Sequence, residues 1–355
     1  LASQSSFTRD SLNAMPGVVG MINHGNTCFM NSIVQCLSNT DVLAEYFVMG
    51  QYKIDLKNCR KDRSEVIELM ATLVRSLWTV TYTQDMTKSL KDGISKYASQ
   101  YKGSSQHDSQ EFMLWLMDKM HEDINMMPAK KRSFTRKQSF RKSSRKFSVE
   151  KTAEDSAAAK VFQGHYRSSL SCPNCKKRSD TTDPFLCVSL PLKQRTTRPI
   201  TLEECFDLHT QVEELGAEDA WLCPHCKKQQ QGTVKKLSLL TLPDILVLHL
   251  KRFRVTDGRR TKLCTRVEFP VTGLNMSKHI FSSKSLKPRI YDLYAVCNHY
   301  GNLNSGHYTA CCSNPLDGKW YLFDDNHTES ITEDALSPQS VYILFYQRRS
   351  ASAAL

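Results

Sequence analysis

The chain of 355 residues and 40.5 kDa exceeds the ~100–200 residues of one ordinary domain, so two or three packed units are expected. A hydrophobic content of 40% with 9% aromatics excludes a wholly disordered chain. At a mean hydropathy of −0.44, no segment approaches the ~20 apolar residues that a membrane span needs.

The net charge of +12 is concentrated in one place. Ala129 to Ser156 holds ten Lys/Arg against three Asp/Glu, seven of the twelve excess charges. Ser and Lys/Arg dominate the stretch and no apolar periodicity survives, so residues 128–156 read as a solvated, disordered insert. Ser139, Ser144 and Ser148 each follow an Arg by three positions, and phosphate there would cancel local charge. The cations are not interleaved with a folded aromatic platform, so specific nucleic-acid binding is not expected. With no segment long and apolar enough to span, no membrane partner is expected either.

From the N-terminus, Leu1-Ala2-Ser3-Gln4 carries neither an initiator Met nor a signal pattern, and the chain reads as a piece of something longer. Phe29, Met30, Ile33, Val34 and Leu37 have the spacing of a helix with one buried stripe, beginning at Cys28 after Asn26-Thr27 as candidate caps. Val66 to Trp78 and Phe112 to Met120 repeat the helical signal. Beyond the insert the period becomes two. Leu186–Leu190, Ile245–Leu250, Tyr291–Cys297, Tyr308–Cys312, Trp320–Phe323 and Val341–Tyr346 read as strands, with turns such as Asp257-Gly258 and Asn314 to Gly318 between them. Helices first and strands later predict an α+β fold of facing subdomains.

Thirteen cysteines, an odd number in a chain too long to need disulfide staples, point to a reducing compartment, cytoplasmic and/or nuclear, with thiols used for metal or catalysis. Cys172-Pro173-Asn174-Cys175 and Cys223-Pro224-His225-Cys226 are two C-P-x-C knuckles. A two-residue gap lets both thiolates reach one ion at ~2.3 Å, and two knuckles complete a tetrahedral Zn2+ site with no position left for water, hence a structural one. The 47 intervening residues exceed the ~15–20 of a compact ribbon, so the knuckles are expected on two hairpins clamped at their tips. A redox C-x-x-C is the competing reading, which the doubled motif disfavours.

Cys28 stands where helix dipoles and unpaired amides favour a thiolate. Near the other end, His307 follows Ser305-Gly306 and opens a strand. If that strand pairs with the next, Asp324 or Asp325 lies opposite the imidazole, depending on register. A carboxylate that orients an imidazole is the third group a Cys–His pair requires.

Gly20-Met21-Ile22-Asn23-His24-Gly25-Asn26-Thr27-Cys28-Phe29-Met30-Asn31-Ser32 resembles the cysteine box of the ubiquitin-specific proteases. Ser305-Gly306-His307-Tyr308-Thr309-Ala310, with Trp320 and Phe323-Asp324-Asp325, resembles their histidine box. Gln106 to Phe112 is similar to the family's Q-Q-D-x-Q-E-F segment, with His107 in place of the second Gln. Leu248-His249-Leu250-Lys251-Arg252-Phe253 and the two knuckles complete the order, so the resemblance spans roughly Gly17 to Arg348. It implies a papain-like cysteine protease with a helical thumb (16–127), zinc-bearing β fingers (about 164–240) and a β-rich palm (about 241–348), between a 1–15 extension and a 349–355 tail. It implies Cys28 as nucleophile, His307 as base and then acid, Asp324 as orienting carboxylate, and Asn23, with the Cys28 amide, as oxyanion donor. Asp108 and Glu111 match acidic positions that hold the arginine-bearing tail of ubiquitin. The implied activity of the monomer is cleavage of (iso)peptide bonds after the C-terminal glycine of ubiquitin on ubiquitinated proteins. A catalytically latent module that binds ubiquitin or a ubiquitin-like modifier is the other reading.

Overall fold

The computed structural model describes residues 15–59, 65–124, 156–193, 198–256, 259–281, 289–302 and 305–350. The N-terminal extension, the basic insert up to 155, the Asp257-Gly258 turn and the last tail residues lie outside them.

The helical half contains α1 (Cys28–Ser38), α2 (Asp41–Val48), α3 (Tyr52–Cys59), α4 (Glu65–Trp78), α5 (Gln84–Tyr97) and α6 (Ser109–Ile124), with α7 (Ala157–Phe162) beyond the insert. Ser156 caps α7 by accepting from the Ala159 amide at 3.1 Å, and its hydroxyl meets His121 of α6, so the insert leaves and rejoins the fold beside one helix end. Next come β1 (Gly164–Ser171), β2 (Arg178–Phe185), β3 (Val188–Leu190), β4 (Ile200–Thr201), α8 (Leu202–His209), β5 (Glu213–Leu215), β6 (Trp221–Leu222), β7 (Gln229–Gln230) and β8 (Thr233–Thr241). The remaining strands are β9 (Ile245–Leu250), β10 (Phe253–Thr256), β11 (Arg259–Lys262), β12 (Val267–Glu268), β13 (Leu274–Asn275), β14 (Ile290–Gly301), β15 (Gly306–Ser313), β16 (Trp320–Asp324), β17 (His327–Ile331) and β18 (Val341–Arg348). The fold is α+β, as the change of period predicts.

One sheet, ordered β17-β16-β15-β14-β18-β9-β3, divides the core. Successive strand residues point to opposite faces. Val247, Ala295, Cys297, Ala310, Cys312, Ile343 and Phe345 pack toward the helices. Leu246, Leu248, Val296, Cys311, Leu344 and Tyr346 pack on the other face with Leu202, Cys205 and Phe206 of α8.

Helix α1 departs from the expected single stripe: all eleven of its residues are buried. Some of its polar groups are matched within the fold, while Oδ1 of Asn31 and Oε1 of Gln35 have no hydrogen-bond partner among the described residues. Gln35 donates to the Val19 carbonyl at 2.8 Å, and Trp78 donates to the Ser38 carbonyl at 3.0 Å.

The knuckles do lie on two hairpins. β1 and β2 meet at Ser171↔Arg178, and β6 and β7 at Leu222↔Gln229. A separate four-stranded sheet, ordered β2-β1-β8-β5, carries the first of them. Pro184 lies on its edge strand β2, where a missing amide costs no inner ladder bond.

Candidate active site and four-cysteine cluster

Helix α1 presents Cys28 in its first turn. The Thr27 carbonyl accepts the amides of Met30 and Asn31, so the amides at 28 and 29 precede the helical ladder. The expected side-chain cap is absent, because Thr27 is used on the preceding loop. Its hydroxyl accepts from the His24 amide at 2.9 Å, and its own amide donates to Oδ1 of Asn23 at 2.9 Å. These bonds shape the turn leading to the thiol, with Asn26 at a positive φ of 57°.

His307 is the second residue of β15. The Asn314–Gly318 turn sets Ser313 opposite Trp320 and Ala310 opposite Phe323. Continued, that register would place Asn326 opposite His307, so neither Asp324 nor Asp325 is the direct partner that the hairpin argument expects. Asp324 approaches diagonally from the same face, within reach of a long side chain. Its Oδ1 meets Nε2 of His307 at 2.6 Å. Nδ1 is left for sulfur. Hydrogen bonding to the Cys28 thiol raises the His307 pKa, partial burial opposes that, and Asp324 adds to the rise, which brings the imidazole to about 9.

Asp325 begins the two-residue turn between β16 and β17, where Asp324 pairs with His327, and its φ is 50°. That conformation favours glycine. It is held from three sides: the Asp325 carbonyl accepts from the Met21 amide at 2.8 Å, Oδ1 from Asn31 at 2.8 Å and Oδ2 from Asn23 at 2.8 Å. Gly20 permits this approach, since a Cβ there would stand 2.5 Å from the Asn326 carbonyl oxygen. Asn23 is exposed, with its amide oriented at both ends.

The acidic pair divides. Oδ1 of Asp108 caps α6 by accepting from the amides of Gln110 at 2.7 Å and Glu111 at 3.2 Å, and Oδ2 accepts from the Tyr342 hydroxyl at 2.5 Å. Glu111 is exposed on the first turn of α6. His107 is wedged edge-on between Phe29 and Tyr101, with ring centroids 5.3 and 5.0 Å away. Burial lowers its pKa. Asn31, Gln106 and Tyr342 are site-shaping residues whose roles sequence reasoning missed. Asn31 and Gln106 lie inside the quoted motifs, but their partners are long-range.

The four knuckle sulfurs lie within 4.8 Å of one another. Cys172 Sγ is 3.8 Å from Cys226 Sγ, and Cys175 Sγ is 3.7 Å from Cys223 Sγ. A tetrahedron with ~2.3 Å metal–sulfur bonds has edges of about 3.8 Å, so the donor set fits a thiophilic ion. The knuckles share one backbone pattern. The Lys176 and Lys227 amides donate to the carbonyls of Cys172 and Cys223, at 3.0 and 2.8 Å, and both lysines have positive φ, 59° and 55°. The Cys226 amide also donates to Cys223 Sγ at 3.5 Å, a bond that favours thiolate.

Among known proteins, the family model described as ubiquitin carboxyl-terminal hydrolase matches residues 19–346. Ubiquitin carboxyl-terminal hydrolase 2 of Gallus gallus is 35% identical over 100% of both chains. Ubiquitin carboxyl-terminal hydrolase 43 of Homo sapiens is 28% identical over 95% of this chain and 55% of its own length. The chain spans about half the length of the curated relatives it matches first. Among solved structures, the SAGA Ubp8/Sgf11/Sus1/Sgf73 DUB module bound to ubiquitin aldehyde superposes with a TM-score of 0.74 at 28% identity, over 99% of this chain and 72% of that one. The chain belongs to the ubiquitin carboxyl-terminal hydrolase family, the ubiquitin-specific proteases that its sequence resembles.

Proposed function

We propose that the protein is a thiol-dependent deubiquitinase that hydrolyses (iso)peptide bonds after the C-terminal glycine of ubiquitin. The observation that carries this reading is the contact series Cys28–His307–Asp324, with imidazole joined to carboxylate at 2.6 Å and to the thiol on its other side. His307 takes the proton from Cys28 and the sulfur attacks the glycyl carbonyl. Asp324 fixes the ring and stabilises its cation. The developing oxyanion accepts from the Cys28 amide and from Asn23. One Asn23 N–H is held by Asp325, which leaves the other for the oxyanion. His307 then protonates the leaving amine. In the second half-reaction the neutral ring takes a proton from water, which hydrolyses the thioester, and returns it to Cys28.

Glu111 supplies exposed negative charge for the arginine-bearing tail of ubiquitin. Asp108 adds to that charge while fixing the helix end. The four cysteines hold one structural Zn2+, which ties the β1–β2 and β6–β7 hairpins together and closes its own coordination shell. A division into helical thumb, fingers and palm is supported by the grouping of α1–α6, the β2-β1-β8-β5 sheet and the large sheet. The protein acts as a monomer on ubiquitinated proteins of the cytoplasm or nucleus.

The test is turnover of ubiquitin carrying a C-terminal fluorogenic amide. Multiple turnover that disappears in Cys28→Ala and in His307→Ala supports the reading. Ubiquitin binding without turnover in the unmodified chain favours a binding module instead.

A further inference from the structure

We propose that Gln106 is a positioning residue, which sets the approach of His307 to Cys28 by clamping the backbone of Gly306 from the helical side of the site. The inference rests on the reading of Cys28 and His307 as a nucleophile–base pair.

The side-chain amide of Gln106 makes both hydrogen bonds available to one backbone residue. Its Oε1 accepts from the Gly306 amide at 3.0 Å, and its Nε2 donates to the Gly306 carbonyl at 2.8 Å. A strand residue directs its N–H and C=O to the same side, so this pair occupies the place of a neighbouring strand. That place is open here. β16 pairs with β15 only from Ala310 onward, while Gly306 and His307 pair on their other edge with Gly301 and Tyr300 of β14. The segment carrying the imidazole would otherwise be held along one edge alone.

Both ends of the clamp are anchored. Gln106 follows a loop whose continuation is fixed by the His107 ring between Phe29 and Tyr101 and by Asp108, bonded to the α6 amides and to Tyr342. Behind Gly306 lies His299, packed against Tyr308 and Phe253 with centroids 4.7 and 5.0 Å away. A Cβ on residue 306 would stand 2.2 Å from His299 Nε2 and 2.8 Å from the Asn302 carbonyl oxygen. Gly306 is thus fixed between a ring and an amide, and His307 is its immediate successor. The groups that face the imidazole are Cys28 from α1, Asp324 from β16, Asp325 from the following turn and, from β14, His299.

Only a side chain of this length with one donor and one acceptor makes the pair. Gln106→Ala removes both bonds, and Gln106→Glu keeps the acceptor for the amide but turns an oxygen toward the Gly306 carbonyl. The first measurement needs no ubiquitin: NMR titration of the His307 ring in the free chain with labelled histidine, assigned against His307→Gln. The second is kcat and KM on the fluorogenic ubiquitin amide. In Gln106→Ala the His307 midpoint is expected to fall by about half a pH unit or more as its contacts to Cys28 and Asp324 loosen. The kcat is expected to fall about ten- to thirtyfold with KM within about twofold, and Gln106→Glu to fall between. An unchanged midpoint overturns the proposal, whether kcat holds or only KM rises, the latter being the mark of a plain substrate contact. If the unmodified chain turns over no ubiquitin, the titration still decides the clamp, so failure of the functional reading is separable from failure of this one.

Discussion

The side-chain amide of Asn23 donates to Oδ2 of Asp325 at 2.8 Å, joining residues 302 positions apart on either side of the nucleophile. The same carboxylate accepts from Asn31, which is buried one turn along α1 from Cys28. Asp325 therefore links the two halves of the candidate site, whereas Asp324 serves the imidazole. The two adjacent carboxylates lie close together beside His307 but take separate tasks: Asp324 bonds the imidazole, while Asp325 is held by Asn23 and Asn31.

Replacing Asp325 with Ala frees Asn23 without touching the His307–Asp324 contact. The expected result is a fall of about 10²-fold in kcat, the size of losing one oxyanion donor, with KM little changed. Steady-state kinetics on a ubiquitin C-terminal amide check it, with Asp324→Ala as the comparison that also disturbs the histidine titration.

The pH response follows from His307, whose pKa is raised from the ordinary ~6.5 to about 9 by Cys28 and Asp324. A folded value above the unfolded one means that the cation's contribution to stability is complete below ~6.5 and lost as pH rises through about 9. The protonated ring also serves the leaving amine. An alkaline limb in kcat/KM is expected near pH 9, moving to lower pH in Asp324→Asn. A full pH–rate profile of both forms is the check.

Metal removal should loosen one part of the fold. The four sulfurs carry the junction of two hairpins, while α1 and its core partners form a separate cluster on the helical side of the sheet. Elemental analysis should return one zinc per chain. Chelation should raise hydrogen exchange around residues 172–176 and 223–227 by about tenfold or more and leave α1 protected.

The L-H-L-K-R-F motif carries a different burden. Arg252 is fully buried, and the bonds of its guanidinium run to carbonyls: those of Val341 at 2.6 Å, Leu263 at 3.0 Å, Thr265 at 2.8 Å and Pro338 at 3.2 Å. Burial brings its pKa down to about 10. Lys in its place cannot span four acceptors, and Arg252→Lys should cost about 3 kcal/mol in urea unfolding, with kcat/KM of the folded fraction within about threefold.

Period and spacing were enough to find α1, α4, α6 and strands β3, β9, β14, β15, β16 and β18 of the large sheet, because those segments bury apolar faces at a fixed repeat. The polar edge strand β17 was not found. Helix α5 escaped that reading: Gln84–Tyr97 is mostly polar and buries only Thr87, Leu90, Gly93 and Ile94. The β1 and β2 strands escaped it too, since Gly164–Ser171 and Arg178–Phe185 pair through backbone in a thin sheet with little apolar alternation. At the site, the spacing of the cysteines and the positions of Cys28 and His307 could be read from the sequence, whereas the choice of Asp324 over Asp325 came only from the family resemblance. The bonds of Asn31 and Gln106 were not, because each depends on a partner about 200 or more residues away that only the packed fold supplies.

The assignment of Cys28 as nucleophile is tested by reaction with ubiquitin bearing a C-terminal electrophile, followed by intact-mass spectrometry. One adduct of chain plus ubiquitin is expected, mapped to Cys28, absent in Cys28→Ala and strongly slowed in Asp325→Ala. An adduct that persists in Cys28→Ala, or none from a chain that binds ubiquitin, would contradict the assignment.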